Sequence, residues 1–70
     1  MPTSDLDILT PQQRQVAQFA ARGLSNRDIA ERLFISVRTV GAHLQSVYHK
    51  LDVPDRTSAV AAAIRRGMLE

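Results

Sequence analysis

Residues 35–50 constrain the fold most, because they have the marks of one amphipathic helix with a defined start. Ser36 is a good N-cap residue, since its hydroxyl can accept a hydrogen bond from a free backbone N–H of the first turn. Ile35 and Val40 flank this cap at the spacing of a hydrophobic staple, which fixes the angle at which the chain enters the helix. Apolar residues then recur at steps of three and four, and this stripe predicts one buried face: Val37, Val40, Leu44, Val47 and Leu51.

The face that points away from this stripe carries the first functional signal. At about 100° per residue, its centre passes through polar and small residues: Arg38, Ala42, Gln45, Ser46 and His49. No Asp or Glu occurs in residues 36–50, whereas a solvated helix face ordinarily carries both signs of charge. Cations, hydrogen-bonding groups and small residues without acids suit a surface that approaches a polyanion closely.

Length and composition exclude several classes of protein. Seventy residues make one small domain, which buries only about 60% of its unfolded surface. No cysteine is present, so the chain can form neither a disulfide framework nor a thiolate zinc site. No apolar run approaches the roughly 18 residues of a membrane span, and the N-terminus lacks the regions of a signal peptide. We therefore expect a cytoplasmic protein that needs no cofactor.

The distribution of charge is more informative than the formal net charge of +2. Four arginines before residue 35 are offset by four acids, and three arginines after residue 50 by three acids. Between them Arg38 and Lys50 stand unopposed, with two histidines nearby. The positive excess therefore lies on the third predicted helix, over residues 37–50, which is a faint nucleic-acid footprint.

Capping residues predict a first helix near the N-terminus. Thr10 can cap it, Pro11 suits the first helical position, and Gln13 completes a capping box. We expect the helix over residues 11–22, where Gly23 can end it in a left-handed conformation. Residues 1–9 show no period and are interpreted as a linker or a cut edge, followed by one domain over residues 10–70.

A second, shorter helix is predicted over residues 26–33. Ser25 is its cap, and Asp28 occupies the position of a capping-box acid. Phe34 and Ile35 then form a tight connection to the next helix. Two capped helices joined by so few residues, the second cationic on its outer face, form the helix-turn-helix pattern.

The fourth predicted helix covers residues 56–66. Pro54 stops the third helix near residue 50, Asp55 can cap the fourth, and Gly67 can end it. Its alanines could simply cover the core, but this helix is rich in alanine nearly all round, and small residues on an outer face permit close helix packing. We therefore expect a weak homodimer through this helix, with the following candidates for the interface: Ala59, Ala62, Ala63 and Arg66.

The segments LTPQQRQV, GLSNRDIAERLFISVRTVGAHL and KLDVPDRTSAV closely resemble the LuxR-type (GerE-like) DNA-binding domain of bacterial transcription regulators. The match runs over residues 9–69, nearly the whole chain. The resemblance implies an all-α four-helix bundle in which the third helix enters the major groove of double-stranded DNA. It also implies that the fourth helix often builds a homodimer, that the dimer reads a two-fold operator, and that a larger regulator supplies the sensory domain.

Two positions depart from the family pattern. The family commonly has Lys where this chain has Gly41, and often has Arg-Glu where it has Gln12 and Gln13. Gly41 removes a cation that would contact DNA, and it costs about 1 kcal/mol of helix propensity. The glycine either lets the backbone come very close to DNA or leaves a weak binder, and the sequence leaves both open.

The candidate DNA contacts fall into two groups. Side chains or backbone that can reach base edges are expected at Arg38, Gly41, Ala42 and Gln45, since Gln pairs with adenine and Arg with guanine. Contacts with phosphates position a domain without reading sequence. They are expected from residues that start the second helix or flank the outer face of the third: Ser25, Asn26, Arg27, Thr39, His43, Ser46, His49 and Lys50.

Other functions fit the sequence less well. His43 and His49 lie about 240° apart on a helix, so they cannot share a metal ion. A general-base role lacks a partner nucleophile, so no enzyme is predicted. Promoter-reading region 4 of a sigma factor shares the helix-turn-helix, but the defined fourth helix argues against it. A helical protein-interaction module with little DNA affinity is the alternative from another class.

Overall fold

The structure is a computed structural model, and it describes residues 8–67. It contains four helices in chain order, α1 (Pro11–Ala21), α2 (Asn26–Leu33), α3 (Val37–Leu51) and α4 (Arg56–Arg65), and no strand among the described residues. All four predicted helices are confirmed, and their ends differ from prediction by at most one residue. The interpretation of residues 1–7 as a linker lies outside the described residues.

Each helix begins at the residue that the sequence marks as its cap. In α1 the capping box is complete, because Gln13 N donates to Thr10 Oγ1 and Thr10 N donates to Gln13 Oε1, both at 3.1 Å. Ser25, Ser36 and Asp55 accept in the same way from the backbone N–H three residues later. These bonds span only three residues, which is why the sequence predicts them well.

The core consists of two clusters of buried side chains, and α3 contributes to both. The first joins α3 to α1, α4 and the segment before α1: Leu9, Ala17, Val47, Leu51, Ala59, Ala62 and Ala63. The second joins α3 to α1 and α2: Val16, Ala20, Ile29, Ala30, Val40 and Leu44. Leu9 is only 3% exposed, so it packs into the core although it precedes the predicted boundary at Thr10. The predicted stripe on α3 is therefore the centre of the bundle.

Val37 is the member of that stripe for which the prediction was wrong. The exposed fraction of Val37 is 49%, whereas Val40, three positions later on the same face, is fully buried. Val37 is the first residue of α3, and the cover that the other helices give to this face begins only one turn later. Helical periodicity predicts the direction in which a side chain points, but it does not predict where the neighbouring helices end.

The dimer candidates on α4 also need correction. Ala59, Ala62 and Ala63 are 6%, 3% and 1% exposed, because they pack into the core of their own chain. Their small side chains bring α4 close to the rest of the bundle and are not available to a second copy. Arg66, the C-cap residue of α4, is exposed, and the outward side of α4 carries Ile64, which is 60% exposed.

Phe34, between α2 and α3, has a conformation that its residue type disfavours. Its φ of 56° and ψ of 41° place it in the left-handed region, and its side chain is 94% exposed. Because a Cβ atom in this region costs roughly 1–2 kcal/mol, and little packing is lost with an exposed ring, glycine should be the better residue. We expect Phe34→Gly to raise the free energy of unfolding by about 1 kcal/mol in urea denaturation.

Phe34→Ala is the control for this variant, since it removes the ring but keeps the Cβ atom, and it should leave stability nearly unchanged. A loss of stability in both variants would show that the ring packs in solution.

Among residues 8–67, no helix has the length and hydropathy needed to cross a membrane.

Candidate nucleic-acid interface

The helix-turn-helix is formed by α2 and α3 together with the turn at Phe34. Two successive backbone N–H groups, of Phe34 and Ile35, donate to the carbonyl of Ala30 and end α2 tightly. Ile35 then packs against the second core cluster, in which Val40 is buried. Ile35 and Val40 therefore share one apolar cluster, as the predicted hydrophobic staple requires.

The outer face of α3 is accessible along its whole length. Of the predicted contacts on this helix, the exposed residues are Arg38, Thr39, Ala42, Gln45, His49 and Lys50. Gly41, His43 and Ser46 are partly buried at the margins of this face. No acidic residue belongs to α3, and the first acid after it is Asp52 at its C-cap. The structure therefore presents one continuous acid-free face on α3.

Thr39 and Lys50 have partners within the chain that the sequence did not predict. The Thr39 hydroxyl lies 2.8 Å from the Ser36 hydroxyl, at the cap of α3. Lys50 Nζ donates to Gln13 Oε1 at 2.7 Å, and the same oxygen accepts from Thr10 N in the capping box of α1. Gln13 thus holds the end of α3 against the start of α1. Because Gln13 is neutral, the bond orders the lysine without neutralising its charge.

This contact predicts opposite effects of Gln13→Glu on stability and on DNA binding. A carboxylate here would pair with Lys50 and favour the positive start of α1, so the free energy of unfolding should rise by about 0.5–1 kcal/mol. DNA affinity should fall several-fold, and the salt dependence should become shallower by about 0.9, as expected for one phosphate contact fewer. Anisotropy titrations with duplex DNA at several salt concentrations measure both.

Gln12→Glu is the matched control, since it adds the same charge one residue away from the Lys50 contact. It should change the salt dependence less than Gln13→Glu does. Equal effects of the two variants would mean that only net charge matters and that the bond to Lys50 is irrelevant to DNA binding.

At the start of α2, the capping box occupies the N–H groups of Ser25 and Asp28. The N–H groups of Asn26 and Arg27 belong to the same first turn and have no acceptor within the helix, as at any helix start. The Arg27 side chain forms an i,i+4 pair with Glu31 at 3.6 Å, in which both side chains are largely exposed. Such a pair contributes little, so Arg27 can exchange it for a phosphate.

Arg56 connects this helix start to α4, and the sequence did not mark it as a functional residue. Its Nη1 donates to Asn26 Oδ1 at 3.0 Å, and its Nη2 donates to the carbonyl oxygens of Leu24 and Ala20. Burial raises the pKa of the nearby Tyr48, and the charge of Arg56 partly offsets that rise. The partners of Arg56 are some 30 residues away in sequence, beyond the reach of any local pattern.

The described residues contain no group of three or more His, Cys, Asp or Glu side chains that could hold a metal ion. His43 is partly buried and His49 is exposed, on different sides of α3. The outer face of α3 offers hydrogen-bonding groups and positive charge, whereas α2 also exposes the acids Asp28 and Glu31.

Comparison with known proteins identifies the family. The family described as "Bacterial regulatory proteins, luxR family" matches residues 7–63. A protein of Mycobacterium tuberculosis with the provisional name HTH-type transcriptional regulator Rv0890c is 54% identical over 66 residues, which are 94% of this chain and 8% of that protein. The transcriptional regulatory protein DegU of Brevibacillus brevis is 42% identical over 65 residues, which are 93% of this chain and 28% of DegU.

Two solved structures share the fold. The transcription factor GerE superposes with a TM-score of 0.85 and 35% sequence identity, over 90% of this chain and 94% of GerE. ChrA, a response regulator of a heme-sensing two-component system, has a TM-score of 0.82 and 38% identity, over 97% of this chain and 32% of ChrA. The chain therefore belongs to the luxR family of bacterial regulatory proteins, as a helix-turn-helix DNA-binding domain.

Proposed function

We propose that this domain binds double-stranded DNA sequence-specifically by inserting α3 into the major groove. The observation that carries the proposal is the exposed outer face of α3, which displays donors and small residues and no acid. Arg38, Gln45 and the Gly41–Ala42 surface face base edges in this arrangement. The remaining predicted residues contact phosphates: Ser25, Asn26, Arg27, Thr39, His43, Ser46, His49 and Lys50.

Affinity in this arrangement comes from close fit and a few hydrogen bonds more than from charge, since Arg38 and Lys50 are the only arginine and lysine of α3. A second copy bound to an adjacent half-site would add to it. We propose a weak homodimer through the outward side of α4, where Ile64 and Arg66 are exposed. The operator then consists of two half-sites related by two-fold symmetry.

The chain spans 8% of the mycobacterial relative and 28% of DegU. We propose that other domains of a longer regulator supply the input signal. The site of action that follows is the bacterial cytoplasm, where the DNA lies.

The division of α3 into base-reading and phosphate-binding residues predicts different behaviour of Gln45→Ala and Lys50→Ala. A preferred duplex is first selected from a random library, and dissociation constants are then measured for it and for a scrambled duplex. Gln45→Ala should weaken binding to the preferred duplex by about 5- to 150-fold, as one lost base contact implies, and hardly affect the scrambled one. Lys50→Ala should weaken binding to both alike.

Thermal unfolding of both variants controls for folding, because Lys50→Ala also removes the bond to Gln13. If Gln45→Ala weakens binding to the preferred and scrambled duplexes equally, Gln45 does not read bases and this orientation of α3 is wrong.

A further inference from the structure

The side chain of Arg56, the first residue of α4, extends from its own helix to the end of α1 and the start of α2. Its guanidinium has acceptors on three segments: Ala20 near the end of α1, Leu24 in the connection, and Asn26 at the start of α2. Arg56 is partly buried, and its backbone follows directly on Asp55, whose carboxylate caps α4. The Arg56 side chain is thus fixed at its backbone by the start of α4 and at its guanidinium by three acceptors.

The bond to Asn26 fixes the orientation of the asparagine carboxamide. A carboxamide has an acceptor oxygen and a donor nitrogen that can ordinarily exchange places by a flip of the side chain. Arginine carries only donors, so the flipped orientation would set Nδ2 of Asn26 against the donors of Nη1. Arg56 therefore holds Oδ1 toward itself and leaves Nδ2, the donor half, for an acceptor outside the chain.

This donor lies at a point where an anion is favoured. Asn26 is the first residue of α2, next to backbone N–H groups that have no acceptor within the helix and to the positive end of the helix dipole. Without Arg56, Asn26 could turn its oxygen outward, and an oxygen would repel the same anion. The charge of the guanidinium adds to the positive potential at this corner of the molecule.

We propose that Arg56 is a positioning residue for DNA binding, which holds the Asn26 carboxamide with its Nδ2 donor ready for a phosphate and so connects α4 to the helix-turn-helix. The inference rests on the proposed function, since it supposes that α2 begins against the DNA backbone. It adds a residue outside the helix-turn-helix whose effect on affinity passes through Asn26.

Four variants test this proposal by duplex DNA titration in low salt: Asn26→Asp, Asn26→Ala, Arg56→Lys, and the double variant of the last two. Asn26→Asp keeps an oxygen for Arg56 and strengthens that bond, but replaces the Nδ2 donor by an acceptor. It should leave the thermal midpoint unchanged or raised while lowering DNA affinity by at least tenfold. Arg56→Lys keeps the charge but not the fork of donors, and should lower affinity about fivefold.

The double variant separates positioning from a general loss of structure. In the Asn26→Ala background, Arg56→Lys should lower affinity by less than about twofold, because the group that Arg56 positions is already gone. If Arg56→Lys costs the same in both backgrounds, Arg56 acts independently of Asn26 and the proposal is overturned. If Asn26→Asp binds DNA as well as the unsubstituted chain, Nδ2 is not a DNA contact and the proposal again fails.

Side-chain amide resonances of Asn26 provide a second measurement that needs no affinity. In ¹H–¹⁵N spectra of the whole chain, these resonances should move on addition of duplex DNA and should also shift in Arg56→Lys. If these resonances move neither on addition of DNA nor in Arg56→Lys, the proposal is overturned, whatever the stability of that variant. Failure of the unsubstituted chain to bind DNA at all would instead reject the proposed function, and this inference with it.

Discussion

A Gly41→Lys variant should bind duplex DNA about tenfold more tightly than the unsubstituted chain, as one added charged hydrogen bond implies, and should also unfold less readily. Gly41 lies inside α3, one turn before Gln45 on the face proposed to enter the groove. An added Cβ atom would meet nothing within 4 Å, so the domain itself can accept a side chain there. Replacing a glycine inside a helix by lysine should contribute about 1 kcal/mol of stability.

The salt dependence identifies the origin of the gain in affinity. If the new ammonium neutralises one phosphate, the slope of log K against log salt should steepen by about 0.9. Urea denaturation of the same variant measures the gain in stability independently.

Gly41→Ala is the matched control, because it restores helix propensity without adding charge. It should show the gain in stability but neither the steeper slope nor the tighter binding. If instead Gly41→Ala and Gly41→Lys both weaken binding while the domain becomes more stable, the missing Cβ atom is needed for close approach of the backbone to DNA. The two variants thus decide between the two explanations of this glycine that the sequence leaves open.

Among the variants proposed for this domain, Ile29→Ala should lower the free energy of unfolding most, by about 2–5 kcal/mol. Ile29 is fully buried in α2, within the cluster that holds α2 against α1 and α3. A chain of this size has a total stability of roughly 4–10 kcal/mol, so the variant should be partly or largely unfolded at 37 °C. DNA binding should fall with the folded fraction and should recover on cooling toward the temperature of maximum stability.

Ile64→Ala is the control for this prediction, since it makes the same substitution at a position that is 60% exposed. It should change the free energy of unfolding by no more than about 0.5 kcal/mol. Circular dichroism during urea denaturation measures both variants. Similar losses from Ile29→Ala and Ile64→Ala would contradict the assignment of the core and of the outward side of α4.

The parts of the fold that sequence predicts well depend on contacts between near neighbours in the chain. Capping bonds are present at all four predicted caps: Thr10, Ser25, Ser36 and Asp55. Each bond joins residues three apart, so it can be predicted from the local sequence. The acid-free face of α3 likewise follows from the helical repeat alone. Local chemistry is therefore sufficient to predict the helices, the turn positions and the accessible face.

The parts that sequence did not predict depend on contacts between distant segments. Lys50 bonds to Gln13, 37 residues away, and Arg56 bonds to Asn26, 30 residues away. For α4, alanines at several positions leave its periodicity ambiguous, so the sequence could not distinguish a core-facing side from a dimer-facing one. The sequence therefore does not predict that Ala59, Ala62 and Ala63 face the core of their own chain.

We propose that the acid-free face of α3 and the start of α2 bind the DNA backbone and bases. A titration of the unsubstituted chain with duplex DNA, at several salt concentrations from low to physiological, tests it most directly. The claim predicts that log K falls linearly with log salt, by about 0.9 for each phosphate neutralised. Absence of binding at the lowest salt, or an affinity that does not change with salt, would contradict it.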